Sequence, residues 1–356
     1  MVARRGVNPK LLALAAIFLR PLGWLYGAIA AARVWAYRRG WLTSHAPGRP
    51  TLSIGNLSTG GTGKTPLLLA TVDWLEQHHA RPGILSRGYG GDEGRLLEER
   101  HPQASLAENP DRVAGLGSLL ALPKPPEVIL LDDGFQHLRL RRHFDVVLLD
   151  ATRPFGPCLP AGLFRERGRA LARADLVVLS RAEWVSEDRR LAIWKRVARY
   201  RDKNKDCPRV EGGVEFQSLH SLNGKSSLQP EEVDGQVAWL AAGIGNPESF
   251  RALVEAQGVQ VLGCQWMADH HPWKPKDWQD WDRHPAIWVT EKDAVKLRHQ
   301  LPEDLAAKTW SCRVDWRFQR GGEHYWALLE RLILPVRAAR IEPLWQAHDG
   351  QGRVVQ

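Results

Sequence analysis

Lys64 and Thr65 close a glycine-rich run, Thr51-Leu-Ser-Ile-Gly-Asn-Leu-Ser-Thr-Gly-Gly-Thr-Gly-Lys-Thr65, whose residue types and spacing point to nucleotide-phosphate chemistry. Gly60, Gly61 and Gly63 free the backbone to turn its N–H groups onto phosphate oxygens, and the helix start that follows adds a favourable dipole. In such a loop Lys64 sits on the β- and γ-phosphates and the Thr65 hydroxyl on Mg²⁺. The expected nucleotide-binding set is Ser58, Thr59, Gly60, Gly61, Thr62, Gly63, Lys64 and Thr65. Ser58 stands where the pattern G-x-x-x-x-G-K-[ST] has its first glycine, but the β-rich run before the loop and Leu67-Leu-Leu-Ala70 after it keep the expected context.

A second group is Val128-Ile-Leu-Leu-Asp132-Asp133, an apolar strand ending in two carboxylates. A strand running into a turn explains one aspartate; two beside a phosphate loop read as a Mg²⁺-holding acidic element. His137, in Gly134-Phe-Gln-His137, reads as a structural hydrogen-bonder. Phosphoryl transfer also needs an acceptor oxygen activated by a carboxylate, alone or with a histidine. Gly91-Asp92-Glu93, Asn109-Pro-Asp111-Arg112 and Asp269-His270-His271 all offer such groups, and composition does not rank them.

The elements that position these residues follow from periodicity. Residues 82–86, 127–131, 145–149 and 175–179 are short Val/Ile/Leu-rich runs separated by longer stretches, the rhythm of a parallel sheet with crossover helices. Residues 200–235 turn polar, strand-like runs resume at 237–242 and 287–289, and 322–334 reads as a last helix before a polar tail. The expected fold is α/β: a P-loop NTPase-like domain with a mainly parallel sheet over 41–205, a smaller α/β domain over 206–320 closing the cleft, and a C-terminal helix and tail over 321–356.

At 356 residues, with 44% apolar and 25% charged residues, the chain is a folded globular protein with room for two cores. A net charge of +9 favours an anionic partner. Cys158, Cys207, Cys264 and Cys312 show no C-x-x-C spacing, which fits a reduced compartment without structural zinc. Ten of the sixteen tryptophans lie from Trp239 onward and read as ordinary core and surface aromatics.

No acid precedes Asp73, whereas Arg4, Arg5, Lys10, Arg20, Arg33, Arg38 and Arg39 punctuate two apolar runs, 11–19 and 21–32. Each run is shorter than the roughly twenty residues a spanning helix needs. The expectation for 1–40 is a helical segment lying in a membrane interface, arginines on lipid phosphates and Trp24, Trp35 and Tyr37 at headgroup level. A secretory signal would carry the phosphate loop away from its triphosphate, so the segment is assigned to the mature protein.

Gly55-Asn56 through Lys64-Thr-Pro66, Ser86-Arg-Gly-Tyr-Gly90, Asp132-Asp-Gly-Phe-Gln-His137, Leu159-Pro-Ala-Gly-Leu-Phe-Arg-Glu166, Gly243-Ile-Gly-Asn-Pro247, Asp269-His-His-Pro272 and Thr290-Glu-Lys-Asp293 occur in the order that resembles the tetraacyldisaccharide 4′-kinases of Gram-negative lipid A synthesis, up to about residue 297. The resemblance implies transfer of the ATP γ-phosphate to the 4′-hydroxyl of an acylated glucosamine disaccharide 1-phosphate, on the cytoplasmic face of the inner membrane. It implies ATP and Mg²⁺ as cofactors, with Thr65, Asp132, Asp133 and Glu166 as the metal group and Arg87, Arg112 and Arg165 as phosphate or substrate contacts. It further implies Asp92 as catalytic base assisted by His270, with Lys64 on the transferred phosphate. Gly91-Asp92-Glu93 follows the Ser-Arg-Gly-Tyr-Gly motif more closely than is usual in the family, so Asp111 stands as the alternative base. No obligate protein partner and no nucleic acid is expected, since the basic residues cluster in an apolar segment without a stacking platform. The competing class is a membrane-recruited P-loop ATPase with a mechanical or regulatory role.

Overall fold

The computed structural model describes residues 18–88, 91–201 and 206–348, with side chains described up to residue 339. Residues 1–17, the Tyr89-Gly90 end of the Ser-Arg-Gly-Tyr-Gly motif, the polar stretch 202–205 and the tail 349–356 lie outside the described residues.

The short apolar runs of the first half become strands buried along their length: β1 (Thr51–Asn56), β2 (Pro82–Ser86), β4 (Val128–Asp132), β5 (Phe144–Asp150) and β6 (Leu176–Ser180). Runs covered by helices on both faces need no polar alternation, which is why they read as continuous apolar stretches. A shorter edge strand, β3 (Ser105–Glu108), pairs with β2. In the second half β7 (Val210–Ser221), β8 (Ser227–Leu228), β9 (Val237–Ala242), β10 (Gln260–Trp266), β11 (Ile287–Thr290) and β12 (Thr309–Arg320) complete one twelve-stranded sheet. Its order is β10-β9-β11-β12-β7-β6-β5-β1-β4-β2-β3, with β8 paired to β7 off this path.

Both flanks are parallel, and they meet at the antiparallel pair of the long strands β7 and β12. The second half is therefore continuous with the first: β7 pairs with β6 on one side and β12 on the other. The long strands were not legible as alternating patterns, because β7 carries Gly212 and Gly213 and β12 ends in exposed charged residues.

The described helices are α1 (Arg20–Arg38), α2 (Lys64–Gln77), α3 (Asp92–Arg100), α4 (Arg112–Leu120), α5 (Glu187–Tyr200), α6 (Pro247–Glu255), α7 (Glu291–Leu297), α8 (Glu303–Lys308) and α9 (Gly322–His348). The first half of α9 turns back onto the first half of the sheet, where Tyr325, Leu329 and Ile333 are fully buried in one cluster with Leu52, Leu67, Val72 and Val146. The Tyr325 hydroxyl meets the Thr71 hydroxyl of α2 at 2.5 Å, so a C-terminal helix braces the helix that follows the glycine-rich loop. A second core, under β9 and β11, is built on the fully buried indoles Trp273 and Trp281, joined by the half of α8 that faces inward.

Helix α1 rests on the body through Gly23 and Gly27, its buried residues. A Cβ at Gly23 would stand 2.8 Å from the Cys158 carbonyl oxygen, a backbone clash that requires glycine there, and one at Gly27 2.8 Å from Arg167 Nε, a side chain that would have to shift. Leu22, Trp24, Leu25 and Ile29 are exposed on its other sides, and Phe18 is exposed just before its start. Among the described residues no helix is long and apolar enough to cross a membrane.

Candidate active site

The glycine-rich loop joins β1 to α2, with Gly60 at φ 109° and Gly63 at φ 88°, conformations that L side chains rarely adopt. Gly63 is the residue that turns into the helix, which leaves the first amides of α2 open toward the cavity. The loop is held from three sides. Asn56 Nδ2 donates to Thr62 Oγ1 at 2.9 Å, the Thr59 amide donates to the Leu163 carbonyl at 2.7 Å, and Arg181, paired with Asp150, donates to the Gly61 carbonyl at 2.7 Å. Ser58 forms a bridge with Phe164 instead of lining the cavity.

A cavity of about 560 Å³ opens over this loop, at the carboxyl ends of β1 and β4 and beneath the second half of the sheet. Thr59 to Thr65, Arg87, Arg112, Asp132, Asp133, Arg165 and His270 all line it. Lys64 Nζ is 3.5 Å from Asp133 Oδ1, and Arg165 takes both Asp133 oxygens, at 2.7 and 3.1 Å. Burial opposes ionisation of Asp133, but the charges of Lys64 and Arg165 outweigh it and hold its carboxyl below the usual range. Asp133 has a left-handed backbone, φ 52°, a conformation that non-glycine residues keep where surrounding structure enforces it. Asp132 is opposite in character. It is pushed up to about 7, first by burial and then by the nearby Glu93 charge, and its Oδ1 is buried with no hydrogen-bond partner. Arg112, at the start of α4, is buried and donates to the Asp132 and Asn109 carbonyls, so it braces the end of β4 while facing the cavity.

Glu166 is not brought to this cavity. Arg173 satisfies its carboxylate with bonds of 2.7 and 2.9 Å, and Gln136 adds a third at 3.0 Å; it borders a separate recess beneath α1. Its link to the site is indirect, since the Gln136 side-chain oxygen accepts from Arg165, the residue that grips Asp133. Asp111 is also elsewhere: it caps α4 by accepting from the Val113 amide and pairs at the surface with Arg139. His137 has no seat among the cavity-lining residues, and burial beside Arg112 and Arg142 holds it down to about 4, a neutral imidazole.

Asp92 and His270, far apart in sequence, meet. His270 Nδ1 lies 2.8 Å from Asp92 Oδ1 and 3.1 Å from Oδ2. Burial opposes ionisation of Asp92, yet the His270 hydrogen bond and the charges of Lys296 and Lys292 bring it to about 2. An ionised carboxylate only accepts, so Nδ1 carries the hydrogen, while Nε2 lies 3.8 Å from an Asp269 carboxylate oxygen. The bond to Asp92 in turn raises the basicity of His270. Asp92 is 1% exposed and does not line the cavity; His270 does. His270 also has a left-handed backbone, φ 60°, held by its amide donating to the Gly243 carbonyl at 3.0 Å.

The residues that sequence reasoning passed over are the neighbours of this pair. Glu93 accepts the Thr65 hydroxyl at 2.9 Å and forms an ion pair with Lys292, so it ties the loop threonine to α7. Both stood in quoted motifs, Glu93 beside Asp92 and Lys292 inside Thr-Glu-Lys-Asp, but their pairing needs the second half of the sheet to fold over the first.

The sequence comparisons bear on this arrangement. The family model described as tetraacyldisaccharide-1-P 4′-kinase matches residues 15–95 and 90–333. The chain belongs to the tetraacyldisaccharide 4′-kinase family. It is 35% identical over 317 residues to the tetraacyldisaccharide 4′-kinase of Thiobacillus denitrificans, covering 83% of this chain and 88% of that protein. It is 36% identical over 323 residues to that of Syntrophotalea carbinolica, covering 79% and 83%. Among solved structures it is similar to LpxK from Aquifex aeolicus in complex with ATP, with a TM-score of 0.70 and 27% identity over 89% of this chain and 99% of that one. The expected P-loop α/β fold and kinase family are thus borne out.

Proposed function

We propose that this member of the tetraacyldisaccharide 4′-kinase family transfers the γ-phosphate of ATP to the 4′-hydroxyl of an acylated glucosamine disaccharide 1-phosphate, with the Asp92–His270 pair as the proton acceptor. One observation carries the reading: a triphosphate cradle and the imidazole of a carboxylate–histidine pair line a single cavity. The loop amides and Lys64 hold the β- and γ-phosphates, and Arg165 and Arg112 add positive charge beside them. The 4′-oxygen bonds to the γ-phosphorus as the bridge to the β-phosphate breaks and ADP departs; its proton passes to the Asp92–His270 pair. Within the pair, His270 lines the cavity and Asp92, 1% exposed, lies behind it. Arg87, which lines the same cavity, is assigned to phosphate oxygens of nucleotide or sugar.

The donor set suits Mg²⁺: Thr65, Asp132 and Asp133 present oxygens to the cavity, and the orphaned Asp132 Oδ1 calls for a cation or a proton. Among the described residues no three His, Cys, Asp or Glu side chains form a closed metal cage. That fits an ion bound by one or two protein oxygens, water and phosphates, whose chemistry is to neutralise charge on the triphosphate. Glu166 enters this proposal as a support, through Gln136 and Arg165.

Helix α1, with Trp24 69% and Ile29 61% exposed and Arg20, Arg33 and Arg38 on the same helix, suits peripheral binding to an anionic membrane on the ATP-containing, cytoplasmic side. The kinase assay supplies purified protein, ATP, Mg²⁺ and the acylated disaccharide 1-phosphate in detergent micelles, and a bisphosphorylated product is expected. Folded, ATP-binding protein that forms none would overturn the reading. For the membrane, Trp24→Glu/Ile29→Glu is expected to lower cosedimentation with phosphatidylglycerol vesicles; unchanged partitioning removes α1 from that role.

A further inference from the structure

Lys296 of α7 has a side chain only 7% exposed and reaches two buried carboxylates at once, Asp92 Oδ2 at 3.2 Å and Asp293 Oδ1 at 3.2 Å. Asp293 is itself fully buried and accepts from the Gly243 amide at 3.0 Å, from Trp273 Nε1 at 2.8 Å and from the Thr290 hydroxyl at 2.7 Å. The Gly243 carbonyl receives the His270 amide. A closed circuit of bonds therefore runs from Asp92 through Lys296, Asp293 and Gly243 to His270, and back to Asp92 through the imidazole. We propose that Lys296 is a positioning residue for phosphoryl transfer: it holds the Asp92 carboxylate against His270 and shares that carboxylate's charge.

An ammonium buried at this depth is costly unless it is paired, and an apolar side chain of similar length would fill the same space without that cost. The three donors to Asp293 are neutral, so Lys296 balances the charge of both buried carboxylates, and its bond to Asp92 is the one that bears on His270. The charged groups around the pair are Glu93 beside Asp92, Lys292 and Lys296 from α7, Asp293 beneath them, and Asp269 with Nε2 of His270 3.8 Å from its carboxylate. Lys292 is engaged by Glu93, which leaves Lys296 as the cation in direct contact with Asp92. Without it, Asp92 attracts the histidine proton more strongly, and the imidazole stays protonated to higher pH.

The inference rests on the Asp92–His270 pair accepting the proton, and the test separates the two. In steady-state kinetics from pH 5.5 to 9.5, Lys296→Met is expected to lose about 10- to 100-fold in kcat near pH 7 with the KM for ATP within about twofold. The acid limb of its kcat profile is expected to move up by about one unit, so that the deficit shrinks as the pH rises. Lys296→Arg is expected to restore most of the rate. Lys296→Gln carries the same profile test if the methionine variant does not fold. A deficit equal at every pH and shared by the arginine variant, or no deficit in protein of native circular dichroism and ATP affinity, overturns the proposal. His270→Ala with wild-type turnover would instead overturn the proton-acceptor reading beneath it.

Discussion

At the residue scale the chemistry rests on charges that would be unfavourable singly and are tolerable together. Asp92 illustrates the sign. Its folded-state pKa of about 2 lies below the unfolded 3.8, so its ionised form contributes stability that is fully present above about pH 4 and is lost as the pH falls through 2. The shift corresponds to about 2 kcal/mol. Asp92→Asn is therefore expected to unfold at lower urea concentration than the wild type at pH 6, with the gap closing between pH 4 and 2. A gap that stays constant over that window would mean the loss is steric. Lys64→Met is expected to reduce kcat by about 100- to 1,000-fold, because a point charge on the transferred phosphate is most valuable in the transition state; a change confined to KM would place it in ground-state binding alone. The loop and the Asp132-Asp133 pair were legible because each motif is a local run whose spacing states its task. Lys296 and Glu93 were not, since neither has a local signature and each gains its role only from a residue about two hundred positions away.

Elements decide how far those residues are fixed. The start of α2 is set by Gly63, and its middle is braced by the burial of Tyr325 against Thr71, which no window of sequence around either residue reveals. β2, β4, β5 and β6 were read within a residue of their ends, while β3, β8 and β10 were missed, as were β7 and β12, because long strands crossing between two parallel flanks carry no uniform alternation. Helix α1 offers the cleanest test at this scale. Its docking depends on Gly27 and Gly23 approaching Arg167 and the Cys158 carbonyl, supported by Arg167 donating to the Trp24 carbonyl at 3.0 Å and lying 4.6 Å from the Trp24 ring. Gly23→Val is expected to cost about 1–3 kcal/mol of that docking, since the clash is with backbone and cannot be relieved by a rotamer change. Limited proteolysis should then cut near 39–50 faster than in the wild type, with ATP affinity unchanged. Equal cleavage rates would show that the helix is held by contacts other than these glycines.

Over the whole molecule, the two parallel flanks are joined by β7 and β12 and cross-linked above the cavity by α3 and α7. Asp92 bonds His270 and Lys296, Glu93 bonds Lys292, Glu99 bonds Arg298 at 2.6 Å, and Arg100 bonds Asp315 and, at 3.5 Å, Glu291. Helix α3 thus carries part of the reactive site on one turn and the fastening between the flanks on the next. Arg100 is the strongest fastener: its side chain is 8% exposed, it also donates to the Val314 carbonyl at 3.0 Å, and Glu291, which burial pushes up despite Arg100, depends on it. Breaking such a pair from one side leaves uncompensated buried charge, a loss of about 3–5 kcal/mol when both partners are buried. Asp315 is 39% exposed, which reduces the expected loss for Arg100→Ala to about 2–3 kcal/mol. The fastening also predicts where that loss appears. In hydrogen exchange, amides of α3 and α7 should lose protection together, while β1 and β4, whose pairing does not involve Arg100, keep theirs. Because the cavity lies between the fastened flanks, the same variant should show a higher KM for the lipid than for ATP, whose cradle is built within the first flank. Loss of protection in α3 alone, with both KM values unchanged, would show that the ionic contacts decorate a closure maintained by β7 and β12.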